Sequence, residues 1–499
     1  MKLSQSNIKL IFGLKVKQLR QNRNLSLSEL AKKAGLSVSY LNEIESGKKY
    51  PKSDKIAALA KALEIDYDNL VSLKLGKSLA PLGDLMDSKI LEKLPLDHYG
   101  IDINKLIVLL SNAPVQLNAL VATLIELAKS TEMSDNKFSR TALRIYKELH
   151  DNYFEKIEKS VDKFIAQNKL TGLPIIHYND LLKILTQKYN YEIDEKNLEK
   201  YELLSEIRGI AILGKSNRLI INPKLKPPQK TYLLAKEIAY NFLNIKDRAV
   251  IYSNRSLDSF DHLLNNYMSS YFANALIIRR DLIINTIKDF FKQEKWSGGN
   301  LLKLIDNFNS TPEMFFHRLT NLSSKYLKLN KLFFLRFATK INNDKYNLSK
   351  EFRLNIDHYP GGYQTGEHYC RRWIAINVLE KLKSKIKSNP NYSRYIVGIQ
   401  ISKFGYSNDK YLAISIGRRS TLTPDNLSSV TIGYLIDENL TGAISFINDS
   451  KIKTKIVNDT CERCSINNCQ ERMAAPVVLE KEAQSQKVGE LINQLMQNK

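Results

Sequence analysis

Cysteine and histidine are scarce in this chain, four and seven among 499 residues. Four cysteines are too few for the disulfide framework of a secreted scaffold, and in a reducing compartment they are better suited to holding a metal. No two histidines stand four residues apart, so no helix offers zinc the paired imidazoles of a helical metallopeptidase, which argues against that enzyme class. The opening residues, MKLSQSNIKLIFGLKVKQLRQNRN, hold no apolar run of signal-peptide length before charge resumes. Neither a leader nor a membrane helix is expected, and the chain is read as cytoplasmic with no membrane partner.

Apolar residues make up 43% of the chain and aromatics 9%, enough for several packed domains. Lys and Arg number 75 against 52 Asp and Glu, a formal charge of +23. Such an excess attracts polyanions, and nucleic acid is the first candidate partner, although many of these lysines are solvated surface.

Residues 10–75 read as five short helices with sharp punctuation. Phe12, Val16 and Leu19 give the first helix one buried face, Ser26 suits an N-cap, and Ala34-Gly35 suits a tight turn. The third helix starts at Ser37 and ends before Gly47, with Leu41 and Ile44 turned inward. A short helix, a glycine turn and a helix with a free polar face are what a major groove accepts. The stretch LSLSELAKKAGLSVSYLNEIESGKKYPKSDKIAALAKAL resembles the helix-turn-helix domain of Cro/cI-type (XRE) repressors. That resemblance implies a recognition helix exposing Val38, Ser39, Tyr40 and Asn42, with Ser37 at its start and Lys48 and Lys49 near the phosphates of a double-stranded operator.

Residues 76–170 keep apolar side chains at helical spacing, as in LNALVATLIELAKS and SRTALRIYKELHDNYFEKIEKSVDKFIAQN. They are read as a helical linker that either supports a homodimer or tetramer or acts as an intramolecular spacer. From 205 to 245 the order is strand, turn, strand, helix: GIAIL, GKSN, RLIIN, then KTYLLAKEIAYNFLNI after Pro227-Pro228. This placement resembles the zinc peptidase-like domain of the ImmA/IrrE group, whose helix carries His-Glu-x-x-His. At the matching positions stand Lys236, Glu237 and Tyr240, so both imidazoles are missing and no catalytic residue is assigned.

The succession NNYMSSYFANALIIRRDLI, FFHRLTNLSSKYLKLNKLFFLRF, GGYQTGEHYCRRWIAINVLEKL and CERCSINNCQERMAAP resembles the short-chain fatty acid regulator family over nearly the whole chain. The resemblance implies a response to short-chain acyl-CoA and, at the cysteines, a [4Fe-4S] cluster. Two features depart from the pattern: the richness in Lys and Asn, and Tyr369 where a small residue often leads into the cysteine. His317 and Arg318 beside Phe315 and Phe316 are read as a buried pair holding neighbouring carbonyls. A sharper alternative has Arg318, with Arg279 and Arg280, contacting acyl-CoA phosphates through guanidinium forks.

Cys461, Cys464 and Cys469 crowd three thiols into nine residues, with Cys370 remote. That spacing favours an iron-sulfur centre over the two close pairs of a structural zinc site, with zinc and free thiols left as alternatives. Such a centre would either staple the C-terminal segment or sense oxidants. YSRYIVGIQISKF, KYLAISIGRR and SVTIGYLID read as strands, RRWIAINVLEKLKSKI as a helix, and the tail AQSQKVGELINQLMQNK as a terminal helix of no assigned use.

The expected fold is multidomain: an all-α helix-turn-helix (10–75) and helical linker (76–170), then an α+β degenerate peptidase-like region (171–350) and an α+β sensor domain with the four cysteines (351–499). The functional expectation is a sequence-specific DNA-binding transcription regulator governed by acyl-CoA, redox state or both. Its rivals are an ImmA/IrrE-type metallopeptidase regulator and an antitoxin-like protein-interaction module.

Overall fold

The structure is a computed structural model that describes residues 5–72, 96–102, 105, 135–252, 259–356, 366–405 and 407–497. Most of the expected linker, including the dimerisation segment LNALVATLIELAKS, lies outside these residues. Among the described residues no helix is long and apolar enough to cross a membrane; the uncharged stretch 106–125 lies outside them. Two compact units emerge, one of residues 1–146 with 257–263, the other of 147–256 with 264–499.

In the first unit, helices α1 (Gln5–Asn22), α2 (Leu27–Ala34), α3 (Val38–Glu45), α4 (Ser53–Ala62) and α5 (Tyr67–Val71) form the expected five-helix domain. The starts of α2 and α3 have local causes. The Ser26 hydroxyl accepts from Glu29 N while the Glu29 carboxylate accepts from Ser26 N, closing a capping box on α2. Ser37 caps α3 by accepting from Tyr40 N. Between them Gly35 takes φ +65, a left-handed turn that a side chain would strain. The core gathers Phe12, Val16, Leu30, Leu41, Ile44, Leu59 and Leu70. At Gly13 an added Cβ would lie 2.1 Å from the Ile44 carbonyl oxygen, so only glycine lets α1 lie this close to the end of α3.

The second unit carries two sheets. Strands β1 (Tyr191–Asp194), β2 (Gly209–Ile212), β3 (Asn217–Ile221) and β4 (Ile251–Tyr252) order as β1-β3-β2-β4, with β1 parallel to β3 and the other pairs antiparallel. The helix Pro227–Phe242 follows β3, as the sequence order predicts. The larger sheet runs β10-β7-β8-β9-β5-β6, from β5 (Leu332–Lys340), β6 (Asn347–Leu354), β7 (Ile396–Phe404), β8 (Lys410–Arg419), β9 (Asn426–Leu435) and β10 (Thr454–Val457). All its pairs are antiparallel except β10 with β7. The helix Ile374–Ser388 packs on this sheet, and Trp373 at its N-cap is fully buried among Phe333, Phe404 and Tyr411.

Two expected boundaries move. The border at 350/351 cuts through β6, because β5 and β6 complete the sheet that β7–β9 begin. The linker assigned to 76–170 also divides, since its helix Glu155–Gln167 packs in the second unit, where Glu158 is buried against Arg318.

Candidate nucleic-acid interface and cysteine recess

On α3 the side chains that point away from the core are Ser37, Val38, Ser39 and Asn42, all exposed, and Lys48 and Lys49 follow the helix in the open. Tyr40 differs from the expectation of a fully exposed reading residue. It is half-buried against the domain core, and the Lys49 ammonium lies 5.6 Å over its ring and 2.9 Å from Glu43. Helical spacing places Tyr40 beside the inward Leu41 and Ile44, so part of its ring is drawn into the core. The α3 face thus offers hydroxyls, an amide and one methyl-bearing side chain to base edges, with ammonium groups at its end for phosphates.

Helix α3 is anchored by a pair that the sequence reading missed. Glu45, the last residue of α3, accepts from Arg20 Nε at 2.7 Å and Arg20 Nη2 at 2.8 Å, and both side chains are largely buried. Arg20 also donates to the Leu25 carbonyl, so one guanidinium ties α1, the loop before α2 and the end of α3. An Arg near the end of one helix and a Glu two helices further on read as solvated charges, and only the tertiary fold pairs them.

In the second unit the four cysteines line one recess, together with Arg371, Arg372, Thr460, Glu471 and Arg472. Cys370, Cys461 and Cys464 are buried and Cys469 is half-buried. Burial pushes the Cys370 thiol up to about 11, against the opposing pull of the Asn458 and Arg372 backbone N–H groups. Three local contacts build the recess. Cys370 N donates to Asp459 O at 3.0 Å, Cys461 N donates to His368 O at 2.8 Å, and Trp373 Nε1 donates to Asn458 O at 2.8 Å. Arg472 donates to the carbonyls of Cys461 and Cys464, and Met473 N approaches Cys461 Sγ at 3.4 Å. Around this rim Glu367 pairs with Arg463 and accepts from Thr460, while Glu462 holds the His368 ring and backbone. Among the described residues no three His, Cys, Asp or Glu side chains converge closely enough to hold a single ion.

The positions that resemble His-Glu-x-x-His close a buried network. Glu237, fully buried, accepts from Tyr191 Oη at 3.0 Å and also from Arg248 and Tyr252. Lys236 donates to Asn266 Oδ1, and Tyr240 Oη lies 3.4 Å from the same oxygen. Here Glu237 is a counterion for Arg248.

The three arginines assigned to phosphates are each engaged by groups of the fold. Arg318 is fully buried. It donates through Nη1 and Nη2 to Glu158 and through Nε to the Ile278 carbonyl at 3.0 Å. Burial works to raise the Glu158 carboxyl, but the Arg318 charge and the Arg318 and Tyr271 hydrogen bonds hold it below its ordinary range. Arg280 pairs with Asp162 at 2.9 Å and donates to Tyr153 Oη. Arg279 pairs with Asp281 and donates to the carbonyls of Thr171 and Leu173. His317 stacks on Phe334 at 4.1 Å, where burial pushes it down to about 3 and keeps it neutral.

Residues 16–70 match the helix-turn-helix family, and the control protein C.BamHI of Bacillus amyloliquefaciens is 36% identical over 67 residues, 13% of this chain and 83% of that protein. The chain belongs to the helix-turn-helix family. Its membership is carried by α1–α5, a helix-turn-helix of the Cro/cI type. The HTH-type transcriptional regulator RamB of Mycobacterium tuberculosis is 24% identical over 276 residues, 53% of this chain and 57% of RamB. The HTH-type transcriptional repressor RghR of Bacillus subtilis is 39% identical over 61 residues, 12% of this chain and 45% of RghR. The chain thus spans a little over half of RamB. A solved Mycobacterium tuberculosis transcriptional regulator superposes with a TM-score of 0.46 at 14% identity, over 66% of this chain and 92% of that one.

Proposed function

We propose that the chain is a sequence-specific DNA-binding transcription regulator that works as a homo-oligomer and whose C-terminal unit answers a signal. The observation that carries this reading is the exposed α3 face of Ser37, Val38, Ser39 and Asn42, held rigid from behind by Arg20 and Glu45. The names of RamB, RghR and C.BamHI as regulators or control proteins support it, as does the net charge of +23. Its test is binding to the duplex upstream of its own gene across a salt series. Affinity should fall steeply with salt, and Lys48→Ala should weaken binding and lower the logarithmic salt slope by about one. Binding indifferent to both would move α3 to a protein partner, the interaction-module reading.

For the signal, the cysteine recess fits a [4Fe-4S] cluster, with Cys370, Cys461, Cys464 and Cys469 as the thiolates that would hold it. Backbone N–H groups directed at sulfur, as at Cys370 and Cys461, suit the charge of such a cluster. When bound, the cluster would supply a covalent clasp and a one-electron couple. The chain's own part is the Arg472 clamp on the Cys461 and Cys464 carbonyls, which fixes the loop that bears three of the thiols.

The family resemblance supports short-chain acyl-CoA as the effector. Arg318 is committed to Glu158 in this fold, so Arg279 and Arg280, both at least partly open to solvent, are the better candidates among the three for contact with a CoA phosphate.

A further inference from the structure

The helix Val477–Gln497 is 21 residues long and stands in the open. From Glu480 to Gln494 every residue is exposed. Its first turn is fixed to the cysteine-bearing loop: Val478 N donates to the Glu462 carbonyl at 3.1 Å, and the Glu462 carboxylate accepts from His368 N at 3.0 Å. Beyond that root, Val488, Leu491, Ile492 and Met496 are each half or more exposed. Helical spacing sets these four along one side, with Lys487, Glu490, Asn493 and Gln494 on the other.

Such a helix is poorly supported by its own residues. Val477, Val478, Val488 and Ile492 are β-branched, and Ser485, Gly489 and Asn493 are weak helix formers. Helices in proteins draw most of their stability from packing an amphipathic face, and an apolar stripe left in water forfeits that gain. Charge indicates what covers the stripe. Glu480, Glu482 and Glu490 stand against Lys481 and Lys487, so this helix is slightly acidic on a chain of +23. Nucleic acid and anionic lipid are therefore poor partners for it. Two copies of so basic a chain repel one another over most of their surface, and a nearly neutral apolar stripe is where they can meet.

We infer that the helix Val477–Gln497 is a self-association element, in which the stripe of Val488, Leu491, Ile492 and Met496 packs on the same stripe of a second copy. A two-fold contact needs one patch that complements itself, and an apolar stripe bordered by charges of both signs meets that condition at helix–helix distances of about 8–10 Å. The helix is about 30 Å long and the stripe occupies its second half, so the contact is small and the association it drives depends on concentration. The root on the Glu462 loop gives both copies the same angle of approach. The inference rests on the homo-oligomer part of the proposed function and assigns a surface to it.

The test is sedimentation equilibrium of the full-length protein over a concentration series, with the native chain, Leu491→Glu and Asn493→Ala side by side. Leu491→Glu sets a carboxylate in the stripe and is expected to weaken one association step about tenfold or more, because contact would bury an unpaired charge. Asn493→Ala, on the opposite side, is expected to leave that step unchanged. Both positions are exposed and both new residues favour helix, and circular dichroism verifies that the fold stands; Ile492→Lys repeats the test with the opposite charge. Native association that neither stripe variant weakens, or that Asn493→Ala weakens equally, overturns the proposal and leaves the homo-oligomer reading in place. A native chain that stays monomeric at every concentration overturns both, and a monomer that sediments with vesicles of phosphatidylcholine and phosphatidylglycerol gives the stripe to a membrane surface instead.

Discussion

Arg20 and Glu45 meet through two hydrogen bonds of 2.7 and 2.8 Å, and this pair fixes the far end of α3 to the first helix of its domain. Removing one partner leaves a largely buried charge without its match, which costs about 3–5 kcal/mol in buried pairs. Glu45→Ala should therefore lower the unfolding midpoint of the N-terminal domain and weaken operator binding although Glu45 is buried. Thermal unfolding of the isolated residues 1–75 beside the full chain checks this, and an unchanged midpoint would refute the anchoring role.

The second pair, Arg318 with Glu158, is fully buried and joins two helices that the sequence holds 160 residues apart. Glu158→Ala should cost about 3–5 kcal/mol, whereas the double change to apolar residues of similar volume should recover part of that loss. The recovery stays partial, because Tyr271 Oη also donates to Glu158 and would be left unpaired. Urea unfolding followed by tryptophan fluorescence reads both. Acyl-CoA binding that survives in a folded Arg318→Met variant would confirm that Arg318 supports the fold alone.

Lys236 makes stability depend on pH in a definite direction. Its folded pKa is pushed down to about 7 by burial and by Lys350, Arg208 and Arg248, with Glu237 opposing. The facing phenols, Tyr240 pushed up to about 12 by burial and Tyr252 raised further, stay neutral over this range. An unfolded lysine titrates near 10.4, so between about 7 and 10 the unfolded chain holds one proton more and stability rises with pH. The slope from this group approaches 1.4 kcal/mol per pH unit at most. Lys236→Met should lose that rise between pH 7 and 9 in denaturant titrations, and an identical slope in both proteins would contradict the account.

Anaerobic purification should give a brown protein with about four irons and matching sulfide per chain. Cys464→Ala should lose the colour and the iron. A colourless protein holding one zinc would assign the recess to a structural ion, and metal analysis beside the absorption spectrum decides between them.

The helix-turn-helix was legible because its signals are local. Ser26 and Ser37 sit at caps, Glu29 completes the box and Gly35 turns the chain, each decided within four residues of its neighbours. Strands β7 to β9 were legible for the same reason, from alternation and turn residues. The order of the sheet was not, because the short apolar run LFFL reads equally as buried helix or strand, and β5 joins β9 across some ninety residues. The four cysteines declared themselves by type and spacing. Arg472, which holds their loop through three carbonyls, did not, since a guanidinium aimed at backbone oxygens leaves no pattern in sequence.

The measurement that bears most directly on the central claim is selection of duplexes from a random pool by the purified full-length chain, repeated with Asn42→Ala. Asn42 is exposed on the α3 face, and an amide there suits bidentate reading of adenine. The account predicts one recurrent motif for the native chain and relaxed preference at a single position of each half-site for the variant, with the rest of the motif retained. A pool that yields no motif, or an identical motif from both proteins, would contradict the assignment of α3 as the reading helix.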